Sequence, residues 1–220
     1  MSSTGVPADN RSEIEHVFRL YSGLALALDP TAGLGGKLLY AGELDAEGCR
    51  LVRAANIAGA ASLSATADPT AQRLAIREGV IDFLVTSLNE ALRILKNEIR
   101  KRNAVAVGVT DAAALMVDAM RERGVLPDLV RKTAPGDLAW FVKQGARAVE
   151  PGPLPDGCEF RVFANPPANY DARVLTLVPE SNIALRRWLR LSPRYLGPQA
   201  RNLRSLACDE ETALKLAVDR

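Results

Sequence analysis

The chain has 220 residues, of which 48% are hydrophobic and 25% charged, and a formal net charge of +2. That balance suits a globular core, as one large domain or a domain with an extension, and gives no global field favouring nucleic acid or an anionic membrane. No apolar run approaches the ~20 residues of a spanning helix, the polar start MSSTGVPADNRSE has no signal-peptide core, and Cys49, Cys158 and Cys208 do not make a disulfide framework.

The expected compartment is therefore the cytoplasm. Nucleic acid and membrane are not expected partners. His16 is the only histidine, so a His/Cys metal site is not expected either, and no metal is assigned. It sits beside the stripe Ile14, Val17, Phe18 and Tyr21, as a rim residue would.

In chain order, residues 1–10 read as a polar leader. Ser12 and Glu15 read as a capping box opening a helix to about Leu28, which Asp29-Pro30 stops. From Gly36 to about Val149 strands and helices alternate. KLLYA at 37–41 is a strand, and Asp45–Ala58 a helix with Leu51, Val52, Ala55 and Ile57 inward. ASLSAT at 61–66 is a second strand. Asp68-Pro69 then supplies an N-cap and a first-turn proline for a helix that Gly79 ends. IDFLV at 81–85 is a third strand, and Ser87 with Glu90 opens a helix to Arg102. AVAVGV at 104–109 is a fourth strand, apolar on both faces as a central parallel strand should be. Thr110 is the expected cap of a helix ending at Arg123 and Gly124. A fifth strand starts at Leu129–Arg131, and a short helix covers Asp137–Gln144.

Five such units predict an α/β fold: a Rossmann-like, mainly parallel sheet with helices on both faces. Ligands in this architecture sit beyond the carboxyl ends of the strands. PGPLPDG at 151–157 breaks the pattern. EFRVF at 159–163 and RVLTLV at 173–178 read as strands, followed by NIALRRWLRL and an amphipathic DEETALKLAV. The predicted division is a leader and helix at 1–30, the Rossmann-like domain at 31–150, and a small α+β extension at 151–220.

Two glycine stretches are candidates for a phosphate loop. A dinucleotide fingerprint places glycines directly after a strand and at the start of a helix, where the backbone can approach a diphosphate. After KLLYA come Gly42, Glu43, Leu44, Asp45, Ala46, Glu47 and Gly48, so three acids stand among two glycines. The acids suit the first turn of a helix, and a normal strand-to-helix turn is the alternative. The other stretch, Gly33, Gly35 and Gly36 in TAGLGG, precedes the strand. Cys49 lies near the same helix start, where the acids oppose a thiolate. Arg186, Arg187, Arg190, Arg194, Arg201 and Arg204 form a basic run that suits phosphate, nucleic acid or a partner, or else a helix with Ile183, Trp188 and Leu189 buried and its arginines solvated or paired.

Several stretches resemble the central Rossmann-like domain of urocanase (urocanate hydratase). TAGLGG and GKLLYAG resemble the family's glycine run and adjoining strand. AANIAGAASLSATAD at 54–68, REGVIDFLVTSLNEALRIL at 77–95 and VAVGVTDAAALMVDAMRERGVLPDLV at 105–130 resemble further family tracts in the same order. The likeness covers about residues 31–130. It implies a homodimeric lyase that adds water to urocanate with bound NAD as electrophile. In a gapless register the loop glycines fall on Glu43, Asp45 and Ala46, and Gly48 is kept. The ribose-binding acid falls on Thr66, the arginine after it on Ala71, and the asparagine of the fourth unit on Ala112. A second register keeps Gly33, Gly35 and Gly36. Candidate cofactor-binding residues are thus Gly33, Gly35, Gly36, Gly42, Gly48, Thr66, Thr110 and Thr133. No catalytic residue is assigned, because the family's catalytic cysteine lies in a flanking domain without counterpart here. Two functions follow: a urocanase-like module that binds a small ligand, a nucleotide or a partner without full hydratase activity, or a urocanate hydratase-related lyase using NAD, with a companion chain.

Overall fold

The computed structural model describes residues 8–26, 28–29, 31–132 and 138–217. Six parallel strands form one sheet in the order β3-β4-β2-β1-β5-β6. They are β1 (Leu38–Glu43), β2 (Ala61–Ala65), β3 (Phe83–Val85), β4 (Val105–Val109), β5 (Leu129–Arg131) and β6 (Arg147–Val149). The Rossmann-like α/β reading of the sequence is the observed architecture.

Helices α1 (Ala8–Ala25), α2 (Ala46–Ala58) and α3 (Pro69–Arg77) cover one face, and α4 (Leu88–Arg100), α5 (Ala113–Glu122) and α6 (Leu138–Lys143) the other. The strands alternate accordingly. In β1, Leu39 and Ala41 join the first core, while Leu38 and Tyr40 join the second. The caps read from sequence at α3 and α4 are in place: Asp68 accepts from the Thr70 amide and Ser87 from Glu90. At α2, Asp45, read as a first-turn acid, stands one residue before the helix as its N-cap and accepts from the Gly48 amide.

Beyond β6, β7 (Glu159–Ala164) and β8 (Leu203–Cys208) form a separate antiparallel pair with α7 (Tyr170–Leu177), α8 (Ile183–Tyr195) and α9 (Glu210–Ala217). This pair does not extend the main sheet. It buries its inner face against α1. Phe18 lies 5.1 Å from Phe160 and 5.0 Å edge-on to Trp188. The Trp188 indole donates to Ser205 O at 2.8 Å, and the Tyr21 hydroxyl to Ala184 O at 2.6 Å. Each buried polar end therefore finds a carbonyl.

Several expectations need correction. α1 is already formed at Ala8, so Ser12 and Glu15 lie within it, and Glu15 pairs with Arg19 instead of capping. Residues 1–7 of the predicted leader lie outside the described residues. Thr110 does not cap α5: Ala112 does, without a side-chain bond, and the Thr110 amide donates to Val85 O. RVLTLV is helical, because Tyr170, Val174 and Val178 recur every fourth residue and are all buried. Two strands, β6 and β8, are not foreseen in the sequence: β6 gives the main sheet six strands and not five, and β8 pairs with β7 in the extension.

Candidate functional site

The predicted site residues fall at opposite ends of the sheet. Gly33, Gly35 and Gly36 precede β1, at its amino end. Asp29 folds this segment by accepting from the amides of Thr31 and Ala32 at 2.8 and 2.7 Å. The Leu34 amide donates to Ala58 O at 2.8 Å, stitching it to the end of α2. Gly33 has φ +63, and a Cβ there would collide with Ala58 O and lie 2.7 Å from the Arg187 guanidinium carbon. A Cβ on Gly35 would lie 2.8 Å from Arg102 O. These glycines make room for the chain's own arginines. Arg187 Nε donates to Ile57 O at 2.7 Å, which places a cation at the carboxyl end of α2.

Gly42, Gly48, Thr66 and Thr110 lie at the carboxyl ends, where Glu43, Ala65, Val109 and Val85 stand in register across four strands. Gly42 sits in a bulge of β1 with φ +75 and open space around it. Gly48 has no such space: a Cβ would collide with Glu43 O. It lets α2 pack directly on the end of β1, the role of the third glycine of a dinucleotide fingerprint. Thr133 lies outside the described residues.

Two neighbouring strand pairs send their following helices to opposite faces, which opens a crevice at their carboxyl ends. At β2/β4 the crevice is stitched by backbone. The Thr66 amide donates to Val109 O, its hydroxyl accepts from the Asp68 amide at 3.2 Å, and its carbonyl accepts from Gln72 at 2.9 Å. Thr66 is buried.

At β1/β5 the crevice is bridged by side chains. Arg131, at the end of β5, grips Asp45 with both terminal nitrogens, at 2.9, 3.1 and 3.1 Å. The same Asp45 Oδ1 accepts from the Gly48 amide at 2.7 Å. The side chain of Arg131 is 13% exposed and that of Asp45 47%. A carboxylate of the chain itself thus occupies the amino terminus of α2, the position a diphosphate takes in dinucleotide-binding folds.

Arg131 escaped the sequence reading because it lies 86 residues from Asp45. Only the β1–β5 adjacency brings them together, and an arginine at a strand end opposite a helix-capping aspartate is the signal that strand order would have exposed. Cys49 is not activated here. Burial pushes its thiol up, and its Sγ points to Leu44 O at 3.8 Å. His16 is exposed, and no group of three or more His, Cys, Asp or Glu suited to a metal ion exists among the described residues. No helix there is long and apolar enough to cross a membrane. The arginines of the basic run pair inward in part. Arg186 donates to Leu175 O and Val178 O at the end of α7, and Arg204 grips Asp171.

A family model, the urocanase Rossmann-like domain, matches residues 27–138, half of the chain, from the glycine stretch through β5. The chain belongs to the urocanase family. The resemblance read from the sequence is thereby established for the family. S-methyl thiourocanate hydratase of Variovorax sp. (strain JCM 16519 / RA8) is 27% identical over 97 residues, 44% of this chain and 18% of that protein. The chain thus spans under a fifth of that hydratase. The urocanase-type match stops before β6 and the whole β7–α9 extension.

Proposed function

We propose that this chain is a urocanase-type Rossmann module that binds a small ligand or a partner and carries no hydratase activity of its own. The observation supporting this is the Asp45 carboxylate seated on the Gly48 amide and held by Arg131 across the β1/β5 crevice. A diphosphate at this helix terminus would have to expel that carboxylate, with Glu43 two residues before it in the same turn and Glu47, paired with Arg50, two residues after it. One such like-charge contact costs about 1 kcal/mol in water and about 4 at an intermediate dielectric. The ribose-binding acid of the family pattern is replaced by Thr66, a buried residue whose polar groups are already bonded within the chain. These residues do not fit NAD.

The test is thermal denaturation of the chain with NAD at about 1 mM, where a binder shifts the midpoint by mass action. No shift, no nucleotide released on denaturation and no loss of urocanate absorbance are the expected results. A shift of several degrees, or urocanate consumption, would overturn the proposal.

A second reading, a hydratase-related lyase using NAD with a companion chain, draws on one observation: the similarity to a hydratase of which this chain spans 18%. It predicts NAD retained only in a complex. For the module, a second copy is the proposed partner. The edge strand β3 leaves Phe83 exposed, as α3 does Leu74 and Ile76. A dimer on sizing supports that part of the proposal, and a monomer removes it.

A further inference from the structure

Away from the strand ends, α2 and α8 run antiparallel and exchange arginines. Arg187 of α8 donates to Ile57 O at the end of α2, and Arg53 of α2 donates to Tyr195 O at the end of α8, at 3.3 Å. The two are not equivalent. Arg187 fills the space over Gly33 and Gly59. Arg53 lines a cavity of 190 Å³ between the start of α1, the middle of α2 and the α8–β8 connection.

The cavity's other walls are Asn10, Glu13, Ile14, Glu78, Leu196, Ala200 and Leu203. Arg53 offers five N–H donors and spends one on Tyr195. It forms no ion pair among the described residues, and burial draws its guanidinium below the ordinary arginine value. Of the two acids, Glu13 is neutralised by Arg50 at 2.7 Å. Glu78 has only a looser contact of 3.6 Å with the exposed Arg77. What remains is one cation and one anion facing a shared space with an aliphatic wall of Ile14, Leu196 and Leu203. At ~30 Å³ per water, the space holds about six waters or one small organic molecule. It is below the ~300 Å³ of drug-sized pockets and far too small for a dinucleotide.

A simple carboxylic acid would meet Glu78 with like charge, and a simple amine would meet Arg53. A zwitterion satisfies both. We infer that this cavity binds a free aliphatic α-amino acid, its carboxylate on Arg53, its ammonium on Glu78 and its side chain against Ile14, Leu196 and Leu203. The inference rests on the module reading and names the ligand class and its place.

The test is calorimetric titration of the full chain with L-leucine. 4-Methylpentanoate, which lacks the amine, and isoamylamine, which lacks the carboxylate, are the comparators. L-leucine is expected to bind at least about tenfold more tightly than either. Arg53→Met should abolish its binding. Glu78→Gln should weaken L-leucine about tenfold while leaving 4-methylpentanoate unchanged or tighter, a pattern that misfolding would not produce. No heat with L-leucine at about 10 mM, undiminished binding in Arg53→Met, or equal affinity for 4-methylpentanoate would each overturn the inference. Its failure is distinct from failure of the module reading, which is read by NAD at the amino terminus of α2 and not at the cavity beside Arg53. A chain that ignores both ligands loses only this inference.

Discussion

The two glycine stretches of this chain look alike in sequence and do different work. TAGLGG lies at the amino end of β1, where Gly33 and Gly35 admit Arg187 and Arg102 and tie the loop to the end of α2. The turn from Gly42 to Gly48 lies at the carboxyl end, where ligands of this fold are held. There Gly48 serves helix–strand packing, and Asp45 fills the helix terminus. A glycine-rich loop is an anion cradle only if the space in front of it is free. In both stretches the chain has put its own charged side chain there.

The largest effects should come from filling the tight glycines. Gly48→Ala and Gly33→Ala each drive a methyl into a backbone carbonyl, so each should cost about 3 kcal/mol in urea denaturation. Gly42→Ala, in the same turn as Gly48 but facing open space, should cost only about 1 kcal/mol for its positive φ. Equal losses at Gly42 and Gly48 would erase the distinction drawn at this end. Next, Arg187→Leu removes a charge-assisted bond to Ile57 O and should cost about 2 kcal/mol.

Smaller effects follow from the titrating groups. The amides of Ala32 and Thr31 hold the Asp29 carboxyl below its ordinary value of 3.8. Its contribution is full above about pH 4 and is lost as pH falls through the lower folded-state value. The stability gap between wild type and Asp29→Ala should therefore close on acidification, and a gap that widens would contradict the loop's description. Finally, burial raises the Cys49 thiol and pushes Cys208 up to about 11. Iodoacetamide at about pH 8 should label both slowly in the native chain and quickly after denaturation. Rapid native labelling of Cys49 would mean that the α2 terminus is open.

Much of the fold was legible because local signals and global pattern agree. Asp68-Pro69 and Ser87 cap the helices they were expected to cap, and AVAVGV is the doubly buried strand it reads as. The misses have physical reasons. RVLTLV carries β-branched residues that favour a strand, yet burial of Tyr170, Val174 and Val178 on one helical face decides otherwise. β6 is only three residues long, too short to show a period, and β8 is defined by pairing with β7 across α7 and α8. The site was less legible than the fold. The glycines, Thr66 and Thr110 could be named from their positions in the chain. What stands opposite each of them depends on strand order. Arg131 over Asp45 and Arg187 over Gly33 are contacts between distant segments, invisible to any local window.

The most direct test of the closed α2 terminus follows the Gly48 backbone amide by NMR during titration with inorganic pyrophosphate, in the wild-type chain and in Asp45→Gly. The Gly48 resonance should stay in place in the wild type and move saturably once the carboxylate is removed. A saturable shift in the wild type, with Asp45 present, would contradict the account.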